Sequence, residues 1–392
     1  MTQPEETFSL SFVSSMERFA PLEWNALAKD APPFMRWEWL NLLETSGAVS
    51  PATGWLPAHC ALFKDARLVA AAPLYAKGHG RGEYVYDQLW ADAAAKLNVP
   101  YYPKLVAASP LTPAAGYRFL LGEGLPRRAA VRTLVSAMDS LCRKHGLTGL
   151  HLLFSDDSFA VELRELGLLA WEHQGFLWTN QGYQSFQDFL ARFTANGRKS
   201  IRQERKRLRA SGVRVEMVQG FDAPDSWFPL MYEYYADTCD KFGEWGCKFL
   251  PLSFFTKLAD AFREHILFSA AYLPGSPTPV ALAFFLKGSD TLYGRYWGAA
   301  RDIPFLHFEL CYYAPIEWAI TNNIAFFDPG MGGEHKPRRG FDSRIIKGFH
   351  AFQNPVLDRV FTDNIPRINA FIREHVQELQ DMSAFKTGRT SC

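Results

Sequence analysis

ILFSAAYLPGSPTPVALAFFLKGSDTLYGRYWG, residues 266–298, holds three short apolar runs parted by two clusters of turn residues. Apolar runs of this length, bounded by Pro, Gly, Ser and Asp, read as strands rather than helices. Residues 266–273 and 279–287 are therefore predicted to form a hairpin, and 291–298 the next strand. Upstream, RVEMVQG (214–220) reads as a strand, and SWFPLMYEYYADTCDK (226–241) and PLSFFTKLADAFREH (251–265) as amphipathic helices. Downstream come a helix, FELCYYAPIEWAI (308–320), and a strand, IAFFDPG (324–330). Pro315 falls inside that helix pattern and is predicted to kink or split it.

The first half repeats the order. FSLSFV (8–13) is a strand, PLEWNAL (21–27) and RWEWLNLLET (36–45) are helices, and AHCALFK (58–64) with RLVAAAPLYAK (67–77) is a hairpin closed by Asp65-Ala66. EYVYD (83–87) is predicted as the third strand, LWADAAAKL (89–97) as a helix and VPYYPKLVAA (99–108) as the last strand. A helix over 126–146, a strand GLHLLF (149–154), another helix and the strand LAWEHQGFLWT (169–179) complete the unit. Strand, two helices, three strands, helix, strand, met twice, signals an internal duplication. The expected fold class is α+β, with two tandem domains of mixed sheet flanked by helices. The cut is placed in NQGYQS (180–185), giving domains 1–182 and 183–392, the second with a basic helix at 198–209 and a helical tail.

The totals narrow the function. With 392 residues there is room for two cores, and a formal charge of +1 points to no nucleic-acid or acidic-membrane partner for the molecule as a whole. Basic function, if present, is local. MTQPEETFSL does not read as a secretory signal and no apolar run approaches a membrane span, so a cytoplasmic protein without membrane insertion is expected. The six cysteines form no CxxC and the ten histidines no HExxH, so reduced thiols and no metal site are expected.

Six separated stretches carry a resemblance: GEYVYDQLWADA (82–93), YYPKL (101–105), RKSIRQERKRLRASGV (198–213), LYGRYWG (292–298), LHFELCYY (306–313) and GEHKPRRGF (333–341). Together they resemble the FemAB-like family of predicted N-acyltransferases, linked to peptidoglycan biosynthesis or recognition, over roughly residues 20 to 355. The resemblance implies tandem domains of the GNAT acyltransferase fold. It also implies transfer of an acyl or aminoacyl group to a primary amine, from acyl-CoA or aminoacyl-tRNA, with a small-molecule or muropeptide-type anionic acceptor and tRNA as a further partner. Two departures bear on the donor. GAARDIPFLHFEL (298–310) lacks the second and third glycines of the usual pyrophosphate-gripping loop, which argues against acyl-CoA. No heptad run supplies the coiled-coil arm that many tRNA-dependent relatives carry.

Candidate site residues follow from charge and spacing. In strand 291–298, alternation sets Tyr296 on one side and Arg295 on the other, and the resemblance to the GNAT fold implies that a backbone N–H there polarises a reacting carbonyl. His307 and Glu309, at a helix start, are candidate bases for the attacking amine, as is the pair Glu334-His335. Asp328 ends a strand, and Lys336, Arg338 and Arg339 follow in a glycine-rich loop suited to phosphate or carboxylate. Arg198, Lys199, Arg202 and Arg205 lie on or beside one face of the basic helix, where like charges call for an anion. In the first half, Glu83, Asp87 and Lys104 are weaker counterparts. No Ser-His-Asp or Cys-His arrangement favours a hydrolase. The alternatives are a non-catalytic protein that binds an anionic envelope precursor, and an acetyl-CoA-dependent acetyltransferase of a small amine.

Overall fold

The computed structural model describes residues 8–386; Cys392, counted above, lies outside them. The chain forms two compact units. Unit 1 comprises the chain up to His173 together with Ile346–Ile372; unit 2 comprises Gln174–Ile345 together with the chain from Arg373. A single cut at 182/183 therefore does not describe the chain. The reason is a strand return: Asp342–Phe352 pairs antiparallel with Gly149–Ser155, with Phe349 opposite Leu152, and takes Ile346–Ile372 into unit 1.

Unit 2 holds the meander that the opening stretch predicts. Arg214–Gln219, Ile266–Tyr272, Ala281–Lys287 and Thr291–Ala299 pair antiparallel in that order. Phe326–Asp328 adds in parallel to Thr291–Ala299, and Leu169–Thr179 pairs beyond it, with Phe326 opposite Thr179. Ile266–Tyr272 is buried along its whole length and Ala281–Lys287 nearly so, which explains their continuous apolar sequence. Phe285, Leu292, Leu310, Ile316, Phe327 and Phe341 belong to one core cluster. The helix predicted over 308–320 is indeed split. A single turn, Leu306–Phe308, leads into a π-helical turn, Glu309–Tyr313, and then the α-helix Ala314–Thr321. Pro315 has no N–H to donate, so the ladder is interrupted there and the widened turn sits directly before it.

Gly298 is needed for packing rather than for substrate. A Cβ at this position would lie 2.1 Å from the carbonyl oxygen of Tyr234, in the helix Trp227–Lys241. At Gly294 the nearest atoms would be 3.5 Å away, an ordinary contact. Gly298→Ala is accordingly expected to destabilise unit 2 by roughly 1–3 kcal/mol, as overpacking against backbone does, while Gly294→Ala is expected to be close to neutral. Urea denaturation of the two variants checks this.

In unit 1, Phe8–Val13, His59–Lys64, Arg67–Ala72 and Leu120–Leu121 form a four-stranded sheet. The Asp65-Ala66 turn has φ of 49° and 66°, both left-handed, the twist that a two-residue hairpin favours. Two expectations fail here. The run 67–77 is not one strand: it breaks at Pro73, and Tyr75–Lys77 pairs with Trp55–Pro57 and Lys104–Ala107 instead. EYVYD forms no strand, because Tyr84 takes a left-handed φ of 58°. The last strand is also shorter than 99–108, covering Lys104–Ala107. The duplication therefore holds for the outer elements and is lost at the third strand. The helical tail is Pro355–Asp381, and no helix among the described residues is long and apolar enough to cross a membrane.

Unit 1 also buries a histidine pair. His151 and His350 share a hydrogen bond of 2.8 Å between their Nδ1 atoms, and both Nε2 atoms are buried without a partner among the described residues. Burial holds both rings well below the usual histidine range, with Lys104 and, for His350, His173 adding to the effect. Burial likewise lowers His173 to about 4. Above a pH near 6.5 neither the folded nor the unfolded chain protonates these rings, so they add nothing to the pH dependence of stability there. Below it the unfolded chain takes up protons that the folded one refuses, at about 1.4 kcal/mol per pH unit per ring. The urea midpoint is expected to fall steeply as pH drops from about 6.5 toward 4, and His173→Phe should flatten the slope.

Candidate active site in unit 2

The site begins where two strands part. Thr291, Leu292 and Tyr293 pair in parallel with Phe326, Phe327 and Asp328, and the pairing stops there. Pro329 cannot donate to a ladder, and the chain turns away through Gly330, Gly332 and Gly333 at φ of 79°, 72° and 89°, values that glycine adopts at little cost. Thr291–Ala299 runs six residues further, paired only with Ala281–Lys287 among the described residues. A bulge sits just past the parting: Tyr296 faces Phe284 and Gly294 faces Phe285, which leaves Arg295 as the extra residue.

A cavity of about 300 Å³ opens there, lined by Gly294–Trp297, His307, Cys311, Tyr312, the glycine turn, His335 and Lys336. The structure thus brings together Arg295, Tyr296, His307, His335 and Lys336 from the sequence candidates. His307 packs on Trp297 at 4.6 Å between ring centroids and lies edge-on to His335 at 5.9 Å. His335 Nε2 is 3.0 Å from the Tyr312 hydroxyl. Burial, reinforced by His335, Lys336 and Arg339, lowers His307 to about 3; burial, Arg339 and Lys336 lower His335 to about 4. Both rings are therefore unprotonated at neutral pH. Arg295 stacks at 5.2 Å over the Tyr296 ring and donates to its hydroxyl at 3.1 Å.

The loop cations are not the solvated anion trap expected of them. Lys336 is buried, and its Nζ donates to the carbonyls of Gly330 and Met331 at 2.8 and 3.3 Å, which ties the glycine turn back on itself. Burial brings it down to about 8. Arg339 is buried as well, 3.4 Å from the Phe308 ring centroid, and donates to Glu204 at 3.0 Å and to the His335 carbonyl at 3.1 Å. Asp328 accepts from the Gly330 N–H at 2.9 Å and pairs with Arg344 at 3.4 Å, so it braces the turn. Glu334 and Arg338 are exposed and do not line the cavity.

Two further candidates are placed elsewhere. Glu309 is buried and gripped by Arg205, whose Nε lies 3.1 and 3.0 Å from its two oxygens and whose Nη2 is 2.7 Å from Oε1. Arg205 Nη2 also reaches Glu317 at 2.6 Å. Burial pushes the Glu309 carboxyl above its usual range while Arg205 pulls it back. The pair lines a separate cavity of about 480 Å³ with Arg209, Arg214 and Trp318, and Glu309 does not reach the histidines. So the carboxylate that answers Arg205 comes from its own chain, and Glu309 as a base in the cavity of His307 is set aside. Arg198, Lys199 and Arg202 lie on another face of the basic helix, Ala195–Ala210, and do not line the histidine cavity. Glu83, Asp87 and Lys104 are buried together in unit 1.

Trp297 and Cys311 were not singled out by sequence, although both line the cavity. The available signal was Pro315. Ordinary helical spacing already sets Cys311 beside His307, and the five-residue π turn brings Tyr312, five residues on, to the same side.

Parted strands, a meander and a split helix after the central strand, with the order of the outer elements repeated in both units, make a tandem GNAT-like fold. The chain belongs to the FemAB-like family, described as peptidoglycan biosynthesis/recognition, whose model matches residues 15–387. The fold is similar to that of FemX, at a TM-score of 0.52 and 11% identity over 87% of this chain and 98% of FemX. A conserved protein of unknown function from Bacteroides thetaiotaomicron gives 0.50 and 12%, over 88% of this chain and 100% of that one. A tandem GNAT protein from the clavulanic acid biosynthesis pathway gives 0.45 and 11%, over 89% and 99%. No curated protein matches the sequence. Family membership supports an acyltransferase-type role.

Proposed function

We propose that the histidine cavity of unit 2 transfers an acyl or aminoacyl group from an activated ester or thioester to a primary amine on a peptidoglycan-type precursor. The observation that carries this reading is the parted strand pair, which leaves residues 294–297 lining a cavity that also holds two neutral imidazoles. In the reaction the amine nitrogen attacks the carbonyl carbon and forms the C–N bond. A backbone N–H of the strand steadies the negative charge gathering on the carbonyl oxygen. The bond to the ester oxygen or thioester sulfur then breaks. His307 is the assigned proton acceptor. Among the described residues no hydrogen bond holds it, and its ring is neutral, so a ring nitrogen lone pair is open to the amine proton. The proton passes to the leaving oxygen or sulfur, so the products are an amide and an alcohol or thiol. His335, held by Tyr312, positions the far wall, and Lys336 keeps the glycine turn closed. Arg295 meets an anionic group of the acceptor.

The donor is chosen between two classes. The segment before the split helix ends in Pro304, which has no N–H, and Phe305, at a left-handed φ of 69°. That offers a poor pyrophosphate grip, and supports an aminoacyl ester over acyl-CoA. A thermal-shift panel of acetyl-CoA, a UDP-linked muropeptide and aminoacyl-tRNA tests both points. Stabilisation by the muropeptide and by aminoacyl-tRNA supports the reading; stabilisation by acetyl-CoA alone replaces it with small-amine acetylation. One observation favours a second reading, a binding protein without turnover: both imidazoles sit well below pH 7 in basicity. Binding of the muropeptide with no amide product from any donor would decide for it.

A further inference from the structure

The helix Ala195–Ala210 has two faces of different character. Ile201 and Leu208 are buried in the core of unit 2, and Glu204 and Arg205 on the same side are fully engaged with Arg339, Tyr313, Glu309 and Glu317. The other face carries Arg198, Lys199, Arg202 and Lys206 around a shallow concavity of about 320 Å³, completed by Ala195 and Gln203. Arg198 donates to the Phe193 carbonyl and Arg202 to the Gln187 amide oxygen at 3.1 Å, neither of them an acid. Among the described residues no carboxylate pairs with any of the four. At spacings of one, four and eight residues they form a single stripe.

The chain as a whole carries only +1, so this excess is local and is offset elsewhere on the molecule. A molecule charged in this way is drawn to an extended anionic plane by one face. We propose that the Arg198–Lys206 stripe docks unit 2 on an anionic lipid bilayer as a peripheral contact. Three observations select a bilayer over RNA. The stripe has no aromatic side chain on which bases could stack. Its concavity is shallow and open, with long cationic side chains that can spread over headgroups. Beyond Lys206 the helix meets the cavity of Arg209 and Arg214, which also holds Glu216, Glu309 and Glu317, carboxylates that would repel a phosphate strand. The contact is sequence-independent, works within a Debye length, and is weakened by salt. It does not rest on the proposed transfer reaction, and its residues lie outside the histidine cavity.

Co-sedimentation of the full chain with vesicles tests it. Binding is expected to vesicles of phosphatidylglycerol and phosphatidylcholine, and not to phosphatidylcholine alone. It should be strong at about 0.1 M salt and lost at about 1 M. Arg198→Gln/Lys199→Gln/Arg202→Gln/Lys206→Gln should reduce partition about a hundredfold or more. Should that variant fold poorly by urea denaturation, Lys199→Gln/Lys206→Gln alters only exposed side chains and should lose about tenfold or more. The proposal is overturned if the wild type ignores phosphatidylglycerol vesicles, or if the variants bind them as well as the wild type does. It is equally overturned if tRNA binds the stripe while anionic vesicles do not.

Discussion

Lys104→Met is expected to destabilise unit 1 by roughly 3–5 kcal/mol, the cost of leaving buried charge without its partner. Lys104 is 1% exposed, Glu83 3% and Asp87 6%, so water screens none of them. Lys104 Nζ lies 2.8 Å from Glu83 Oε2 and bonds Asp87 Oδ2, which also accepts from the Tyr101 hydroxyl at 2.9 Å. The second buried lysine, Lys77, points elsewhere: its Nζ donates to the Arg81 carbonyl at 3.0 Å and sits 3.9 Å from the Trp55 ring centroid. Two carboxylates would therefore remain with one poorly placed cation. Burial already raises Glu83, with Asp87 adding to it, and Lys104 is the main counterweight. Adding Asp87→Asn to Lys104→Met removes one stranded charge and is expected to recover about half of the loss. Urea denaturation of the two variants reads both values. A silent Lys104→Met would mean that the cluster holds its protons differently from an ion pair.

The second large effect concerns chemistry. His307→Ala is expected to lower turnover by about 10²–10⁴, the usual range for a positioned proton acceptor, with acceptor binding little changed. His335→Ala removes the partner of Tyr312 and is expected to raise KM more than it lowers kcat, because it loosens a wall rather than the base. Single-turnover amide formation, once the donor panel has selected a donor, separates the two. Full turnover in His307→Ala would move the proton acceptor to Lys336, whose lowered basicity brings it within reach of neutral pH. Loss of muropeptide binding in His307→Ala would place the ring in recognition instead.

Much of this was visible in local sequence, and the failures share one cause. The strand runs 266–273, 279–287 and 291–298 match observed strands closely because each is a buried run between turn residues, and burial acts residue by residue. The split before Pro315 was likewise local, since a missing N–H interrupts a helix in any context. What could not be read was partner choice across long stretches of chain. Arg205 looked like an anion site until Glu309, 104 residues away, proved to be its anion. Arg339 looked like a phosphate ligand until Glu204, 135 residues away, proved to hold it. EYVYD read as a short aromatic strand, yet Glu83 and Asp87 belong with Lys104 in a buried ionic cluster and the backbone turns at Tyr84.

By itself, then, the sequence determined the order of the outer elements and the family, and it singled out stretches that line the cavity of unit 2. Periodicity, turn residues and motif wording are properties of neighbours in the chain, so they survive without coordinates. The tertiary structure alone decided which of the many charged residues are spent on one another and which face a cavity. That division depends on desolvation and on distances between segments far apart in sequence. It left His307, His335 and Lys336 together at the parted strands, and Arg198, Lys199, Arg202 and Lys206 on the surface.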